Sequence, residues 1–403
     1  MTSERNTLAL TTSLYEGLAE IGAGGVLLCR AVVEGGLTLL GRAVLGAAPE
    51  HLEAAEVVVP VVGPGGKGLT IEATLGSFNL GGTIPHPDGH HVPLHAVRII
   101  DHRVRLLLPG FDGAGDLPVV FDRQIRAFGP AGQVLLQHLR IGVGGGGGTG
   151  SAVCEQLIRL GVGTIIVIDD DAINDDGSNV TRVYGSTMAD IGMPKVDLVE
   201  RQASSIGLGT TVIPIKGTIN DEAVARQLRG CDLIFGCTDD NLGRSVLSRL
   251  AYWYLVPVID IGVQLDSTDG HLRSIDGRIT YVAPGFPCLF CRGRIDLEAM
   301  HTEGLPEPER SERIEEGYAR GLAERDPAVV AYTTAVAAMA VAEMMARLFD
   351  LDTGTPAAEL LLQFHFREIR TPGRTPVDGH FCAVTDNIGA GDTRPFLGRM
   401  WTS

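Results

Sequence analysis

Hydrophobic and polar positions sort most sharply in residues 139–171, and the rest of the chain reads outward from there. Leu139 to Val143 alternates toward a short buried strand. Five glycines follow, Gly144 to Gly148, with Gly150 just beyond. From Ser151 to Leu160 the apolar residues Val153, Leu157 and Leu160 recur at helical spacing, and Gly161 and Gly163 stop that helix. Thr164 to Ile168 is a second strand of β-branched character, with Asp169 at its tip. Together these make a βαβ unit suited to a nucleotide. Its glycines let the backbone approach phosphates and its helix N-terminus faces their charge. An acid about 20 residues on holds a ribose hydroxyl. Gly145, Gly147, Gly148 and Gly150 fit the spacing G-x-G-G-x-G. A glycine run matches several registers, so the flanking strands, helix and acid carry the reading more than the glycines do.

Downstream the alternation continues. GMPKVDLVERQASSIG predicts a helix with Pro194 in its first turn, TVIPI a strand, and TINDEAVARQL a helix. CDLIFGCTDDNLGRSVLSRLAYWYL reads as strand, polar turn and helix, and VPVIDIGV as the next strand. Strands alternating with helices imply an α/β fold, a Rossmann-like, doubly wound, mostly parallel sheet. From 265 to 285 short strands broken by Gly270, Gly277 and Gly285 predict an antiparallel extension. Residues 295–328 are polar and charged, a candidate crossover or lid, followed by a long helix at 329–349 and a strand at 360–368. Upstream, 12–46 reads as helix, strand, helix, and 55–62 and 69–108 as strands. The expected division is a small α+β domain at 1–110, a linker and amphipathic helix carrying Arg123 at 111–138, and the nucleotide domain at 139–403. Within the first, IPHPDGHH gathers His86, His90 and His91, with His95 close by. It reads either as a metal site or as a polar turn built on Pro87, Asp88 and Gly89.

Composition narrows the classes. The 403 residues carry 33 basic and 49 acidic side chains, a net charge of −16, and only 5% aromatics. That balance argues against a nucleic-acid surface as the main partner. The N-terminus lacks the pattern of a signal peptide. The most apolar stretch, 329–349, contains Glu343 and Arg347 and is alanine-rich, so it reads as a buried helix and no membrane role is expected. Seven scattered cysteines suit a reducing, cytoplasmic setting.

Several short motifs then fall in order. They are Arg123-Gln124, the glycine loop, Asp169-x-Asp171, Ser178-Asn179-x-x-Arg182, Gly192-x-Pro194-Lys195, Cys237-Thr238-Asp239 and Cys288-x-x-Cys291. Their order and gaps resemble the ThiF/MoeB/ubiquitin-activating-enzyme superfamily across about residues 120–292. The resemblance implies an adenylyltransferase that uses ATP and Mg²⁺ to activate the C-terminal carboxylate of a ubiquitin-like or sulfur-carrier protein, or of a peptide. It also implies a homodimer. Such a transfer spreads negative charge over phosphate oxygens, so it needs cations and positioning more than a base. Lys195 and Arg182 match the cations, and Arg123 matches the arginine that reaches the phosphates from the other subunit. Asp239 would hold Mg²⁺, Asp169 the ribose hydroxyls, and Asn179 the phosphate or metal, with Asp171 assisting. Arg244 reads as structural. The front stretch GGVLLCRAVVEGG, 24–36, faintly resembles a JAB/MPN domain without its zinc motif.

Two departures from the family pattern stand out. Many members bind structural zinc through two Cys-x-x-Cys pairs. Here Cys288 and Cys291 supply the first pair, and of the second only Cys382 remains, with Thr385 where its partner would stand. His380 and His365 are candidate fourth ligands. Ubiquitin-activating enzymes also use a cysteine in or after the crossover to accept the activated protein, and residues 292–381 contain none. Adenylation without an enzyme thioester is therefore expected. Rival readings are an NAD-dependent oxidoreductase on the same βαβ unit, a non-catalytic ThiF-like scaffold, and an enzyme activating a small molecule or tRNA. The oxidoreductase leaves Arg182, Lys195 and the Cys-x-x-Cys pair unexplained.

Overall fold

The computed structural model describes residues 6–11, 26–33, 37–44, 55–62, 68–75, 80–85, 91–93, 96–107, 117–306, 308–310, 327–349, 354–391 and 395–401. Two sheets organise them. The first runs in the order β7-β6-β5-β4-β3-β2-β1-β8-β9. Its strands are β1 (Asn6–Thr11), β2 (Val26–Val33), β3 (Leu37–Val44), β4 (Ala55–Val62), β5 (Gly68–Leu75), β6 (Leu80–Pro85), β7 (His91–Pro93), β8 (Ala96–Ile100) and β9 (Val104–Leu107). All pairings are antiparallel except β1 with β8. The second helix expected before residue 46 is strand β3: Leu37 to Val44 pairs along β2 instead of coiling. Its apolar and β-branched residues serve a sheet as well as a helix, and the hairpin decides between them. The first helix expected within 12–46 lies outside the described residues, as do His86, His90 and His95 of the histidine-rich turn.

The second sheet has the order β12-β11-β10-β13-β14-β15-β16-β17. Its parallel part is β12 (Thr211–Lys216), β11 (Thr164–Asp169), β10 (Arg140–Gly144), β13 (Leu233–Gly236) and the start of β14 (Val258–Thr268). β15 (His271–Val282), β16 (Glu359–Gln363) and β17 (Glu368–Arg370) extend it antiparallel. The strand expected at 360–368 is in fact a hairpin, turned by Arg367 at φ 57. The helices are α1 (Asp122–His138), α2 (Gly148–Leu160), α3 (Lys195–Ile206), α4 (Glu222–Ala225), α5 (Asn241–Trp253), α6 (Leu297–Glu303) and α7 (Val330–Leu348). TINDEAVARQL yields only the short α4 and a 3₁₀ turn at Arg226–Gly230. α1 is broken at Gly129, φ 78, just before Pro130.

Chain order turns back between β10 and β13, since β10 leads to β11 and β12 on one side and the chain returns to β13 on the other. Ligands of such sheets bind outside the carboxyl ends of the strands at that reversal. Here those ends are Gly144, Asp169 and Gly236. Two buried arginines tie the sheets together. Arg98 Nε donates to the Leu255 carbonyl at 3.1 Å, and its Nη1 lies 3.5 Å from Asp232. Arg347 Nη1 donates to the His102 carbonyl at 2.6 Å and its guanidinium covers the Tyr281 ring at 3.7 Å. Arg347 therefore makes α7 a buried strut. No described helix is long and apolar enough to cross a membrane.

Candidate active site and metal centre

The glycine loop is shaped by contacts that only glycine permits. At Gly145, φ is +98° and a side chain would begin 2.7 Å from the Cys237 carbonyl oxygen. At Gly150 it would begin 1.8 Å from the Gly145 carbonyl oxygen. The loop thus closes against β13 and feeds directly into α2. Its Gly146 N–H donates to Asp169 at 2.6 Å, and the Asp171 N–H donates to the other Asp169 oxygen at 2.8 Å. Burial pushes the Asp169 carboxyl up from its ordinary range, while the Lys195 ammonium and the two N–H donors oppose the rise.

Lys195 opens α3, with Pro194 at the N-cap one residue before the first turn. Its stem crosses Gly146, and a side chain there would meet Lys195 Cβ at 3.3 Å. Its ammonium bridges two acids, at 2.5 Å from Asp171 and 3.4 Å from Asp169. Arg182 arrives from the other side. Its stem packs over Gly148, where a side chain would meet Arg182 Cδ at 3.3 Å. Among the described residues its guanidinium has no hydrogen-bond or ion-pair partner. Thr333 in the first turn of α7 also touches the Gly148 position, at 3.5 Å. That contact is not legible from local pattern, because α7 is distant in the chain and carries no motif.

Asn179 and Asp239 differ in how far the fold commits their side chains. Asn179 is buried and its carboxamide oxygen accepts from the Asn174 N–H at 3.0 Å. Its carbonyl accepts from the Arg182 N–H at 3.1 Å. It therefore fixes the loop that carries Arg182. Asp240 caps α5, accepting from the Gly243 N–H at 2.7 Å. Asn220 steadies the same carboxylate at 2.8 Å. Asp239 is left exposed, with no partner among the described residues. An exposed, uncommitted carboxylate at the mouth of β13 suits a hard divalent cation.

Arg123 lies elsewhere within the chain. Its neighbour Gln124 donates to the Arg159 carbonyl at 2.9 Å, at the C-terminal end of α2. A helix of that length sets the two ends about 18 Å apart, so Arg123 is remote from the glycine loop of its own chain.

A second cluster gathers Cys288, Cys291, His380 and Cys382, whose ligand atoms all lie within 4.8 Å of one another. Cys288 and Cys291 sulfurs are 3.7 Å apart, and His380 Nδ1 stands 3.3 Å from Cys288 and 3.5 Å from both Cys291 and Cys382. Tetrahedral zinc with Zn–S near 2.3 Å requires S···S of about 3.7 Å, so the donor set and spacing fit zinc. His365 is excluded as a ligand: its Nδ1 faces the Ile275 backbone at 3.2 Å in the β16–β17 hairpin. A hydrogen bond from Cys288 brings the Cys382 thiol down to about 5, while the same bond and then burial push Cys288 up. Cys231 is buried. Burial drives Cys154 up to about 12 and Cys237 well above the usual thiol range.

A sequence profile described as the ThiF family matches residues 121–376. The molybdopterin-synthase adenylyltransferase of Salmonella typhimurium is 29% identical over 179 residues, covering 43% of this chain and 68% of that protein. The tRNA threonylcarbamoyladenosine dehydratase of Bacillus subtilis is 26% identical over 203 residues, covering 50% of this chain and 72% of that protein. The crystal structure of E. coli MccB with MccA-N7isoASN superposes with a TM-score of 0.52 at 17% identity, over 68% of this chain and 77% of that one. At that identity the likeness is one of fold.

Proposed function

Since the chain belongs to the ThiF family, we propose that it adenylates the C-terminal carboxylate of a small protein or peptide, with ATP as the nucleotide. The observation that carries the reading is the convergence of Lys195, Arg182 and Asp169 on one glycine loop, at the reversal of the sheet. ATP would lie with its ribose at Asp169 and its phosphates over Gly145 to Gly150. The substrate carboxylate attacks the α-phosphorus. A new P–O bond forms, the bond to the bridging oxygen breaks, and pyrophosphate leaves with that electron pair. Lys195 and Arg182 supply positive charge where the phosphate oxygens gain negative charge. Asp239 would hold Mg²⁺, which when bound neutralises the polyphosphate. Asp171, now paired with Lys195, competes with the nucleotide for that ammonium.

Zinc would be held by Cys288, Cys291, His380 and Cys382 as a closed, structural centre. A homodimer would bring Arg123 of one copy to the phosphates of the other. The carboxylate donor would be a ubiquitin-like or sulfur-carrier protein, in keeping with the Salmonella relative's name. A tRNA-directed reading rests on the B. subtilis relative, and the charge of −16 weighs against it.

The test is exchange of labelled pyrophosphate into ATP by the purified full chain. Candidate small proteins ending in Gly-Gly, and peptides with free C-termini, serve as substrates. Exchange that depends on the carboxylate supports the reading. Tight NADH binding with no ATP binding would overturn it.

A further inference from the structure

A cavity of about 670 Å³ opens beside the cysteine cluster, along the flank of α5. Leu242, Leu297, Met300, Val377 and Phe381 give it apolar walls. Its rim stays apolar where it meets solvent: Leu297 is 63% exposed and Val377 55%, and Met400 next to the lining Arg399 is 86% exposed. Two cations face the cavity, Arg249 and Arg399. Neither has a carboxylate partner among the described residues. Arg249 Nη1 donates to the Leu397 carbonyl at 3.0 Å and its guanidinium covers the Phe381 ring at 4.5 Å. Arg399 covers the Trp401 ring at 4.4 Å, and its buried Nη1 has no hydrogen-bond partner. Burial lowers the pKa of both; the Arg249 charge lowers Arg399 further, while Cys288 partly opposes the shift of Arg249. A zinc centre with three thiolates and a neutral imidazole carries one negative charge, which still leaves one arginine uncompensated.

We infer that this cavity docks the folded body of the carboxylate substrate, through an apolar side chain of that protein seated between the walls and a neighbouring carboxylate set on Arg249 and Arg399. The inference rests on the function proposed above. The exposed apolar rim favours a protein surface, since a small amphiphile would leave Leu297, Val377 and Met400 in water. Position along α5 supports the same occupant. Asp239 and Asp240 stand at the helix's start, beside the nucleotide site, and Leu242, Ser245 and Arg249 descend from there along the cavity. Seven helical residues span about 10 Å, which about four extended residues of a substrate tail would bridge with slack. A body docked here would therefore reach the α-phosphate with its terminus.

The chain's two tryptophans report on this place: Trp253 lies 5.6 Å from the Arg249 guanidinium and Trp401 4.4 Å from that of Arg399. In the full chain without ATP, tryptophan emission is followed during titration with the peptide acetyl-Glu-Leu-Phe-Asp-amide and with its lysine counterpart, acetyl-Lys-Leu-Phe-Lys-amide. A shift with the acidic peptide alone, lost in R249Q/R399Q, is expected. No shift, or equal shifts, overturns the docking site. This arm does not depend on the reaction. In the exchange assay, R249Q/R399Q should raise KM for the whole substrate protein on the order of tenfold, with kcat unchanged. KM for a peptide of its last five residues should stay as in wild type. Equal effects on protein and peptide would place the arginines in general stability and defeat the proposal. An emission response to the acidic peptide with no KM effect on the whole protein would reassign the cavity to a small amphiphile and defeat it too. R399Q alone, near the chain's end, should act in the same direction and guards against misfolding of the double variant. Failure of every carboxylate to support exchange in wild type would instead count against the proposed function.

Discussion

Lys195 Nζ lies 2.5 Å from the Asp171 carboxylate and 3.4 Å from that of Asp169, so the principal candidate cation is held by two acids before any nucleotide arrives. The two pairs are unequal. Asp171 is largely exposed, and its hold is screened by solvent. Asp169 is buried and also anchored by the Gly146 N–H. A phosphate would therefore displace Asp171 first and leave the Asp169 geometry intact.

K195A is expected to abolish pyrophosphate exchange. Removing one preorganised phosphate cation costs about 2–4 kcal/mol in the transition state, roughly 30- to 1,000-fold in kcat. Exchange rates of wild type and variant at saturating ATP measure it. A loss under about fivefold would make Lys195 a structural partner of Asp169 and Asp171.

R123A and K195A should each be inactive alone and regain activity when unfolded and refolded together. Arg123 sits at the end of α2 away from its own glycine loop. In a mixed dimer one site receives Lys195 from the first copy and Arg123 from the second. Random pairing then predicts recovery to about a quarter of wild-type activity. Absence of recovery, with dimers confirmed by light scattering, would assign Arg123 to the surface of α1.

The zinc centre can be tested apart from catalysis. Elemental analysis should find about one zinc per chain. C288S should lower stability by more than about 2 kcal/mol, since a lost structural metal ranks among the costly substitutions. H380A should do the same, and H365A should not, because His365 faces the Ile275 backbone. Denaturant melts of the three variants decide. Metal-free protein of undiminished stability would leave the cluster held by packing alone.

The parallel half of the second sheet was legible in the sequence because each element there is punctuated. Gly161 at φ 75 ends α2 and Gly207 at φ 70 ends α3, where the chain needs left-handed backbone. The motif residues sit at element edges: Asp169 closes β11, Arg182 follows the 3₁₀ turn Ser178–Thr181, and Lys195 opens α3. Local pattern failed where contacts from distant segments decide. β3 is a strand because β2 pairs with it, and nothing within LTLLGRAV marks it as one. Asp239 and Asp240 are adjacent acids of one turn, and only Asn220 and the Gly243 N–H show which of them caps α5. The fourth member of the cysteine cluster stayed open between two histidines, because 88 residues of chain separate Cys291 from His380 through α6, α7 and a hairpin whose fold the spacing does not encode.

The fate of the acyl adenylate is the last expectation, and thiol environments set it. A thioester requires a thiol near the adenylate that can ionise and reach it. Cys237 is close to the glycine loop, but burial holds it protonated well above the usual range. Cys154 is fully buried on α2 and pushed to about 12. Cys382 is the one described thiol drawn down, to about 5, yet it is buried among Cys288, Cys291 and His380, where metal ligation would consume it. The product should therefore be an acyl adenylate with no covalent enzyme intermediate. A non-reducing gel of the full chain with ATP and its substrate should show no thiol-sensitive adduct, in wild type or in C382A. An adduct in wild type that C382A abolishes would make Cys382 a nucleophile. An adduct that survives C382A and vanishes in C237A would instead mean that the β13 turn opens during the reaction and exposes its thiol. K195A separates these outcomes from a failure of the first step, since it should remove adenylation and any adduct together.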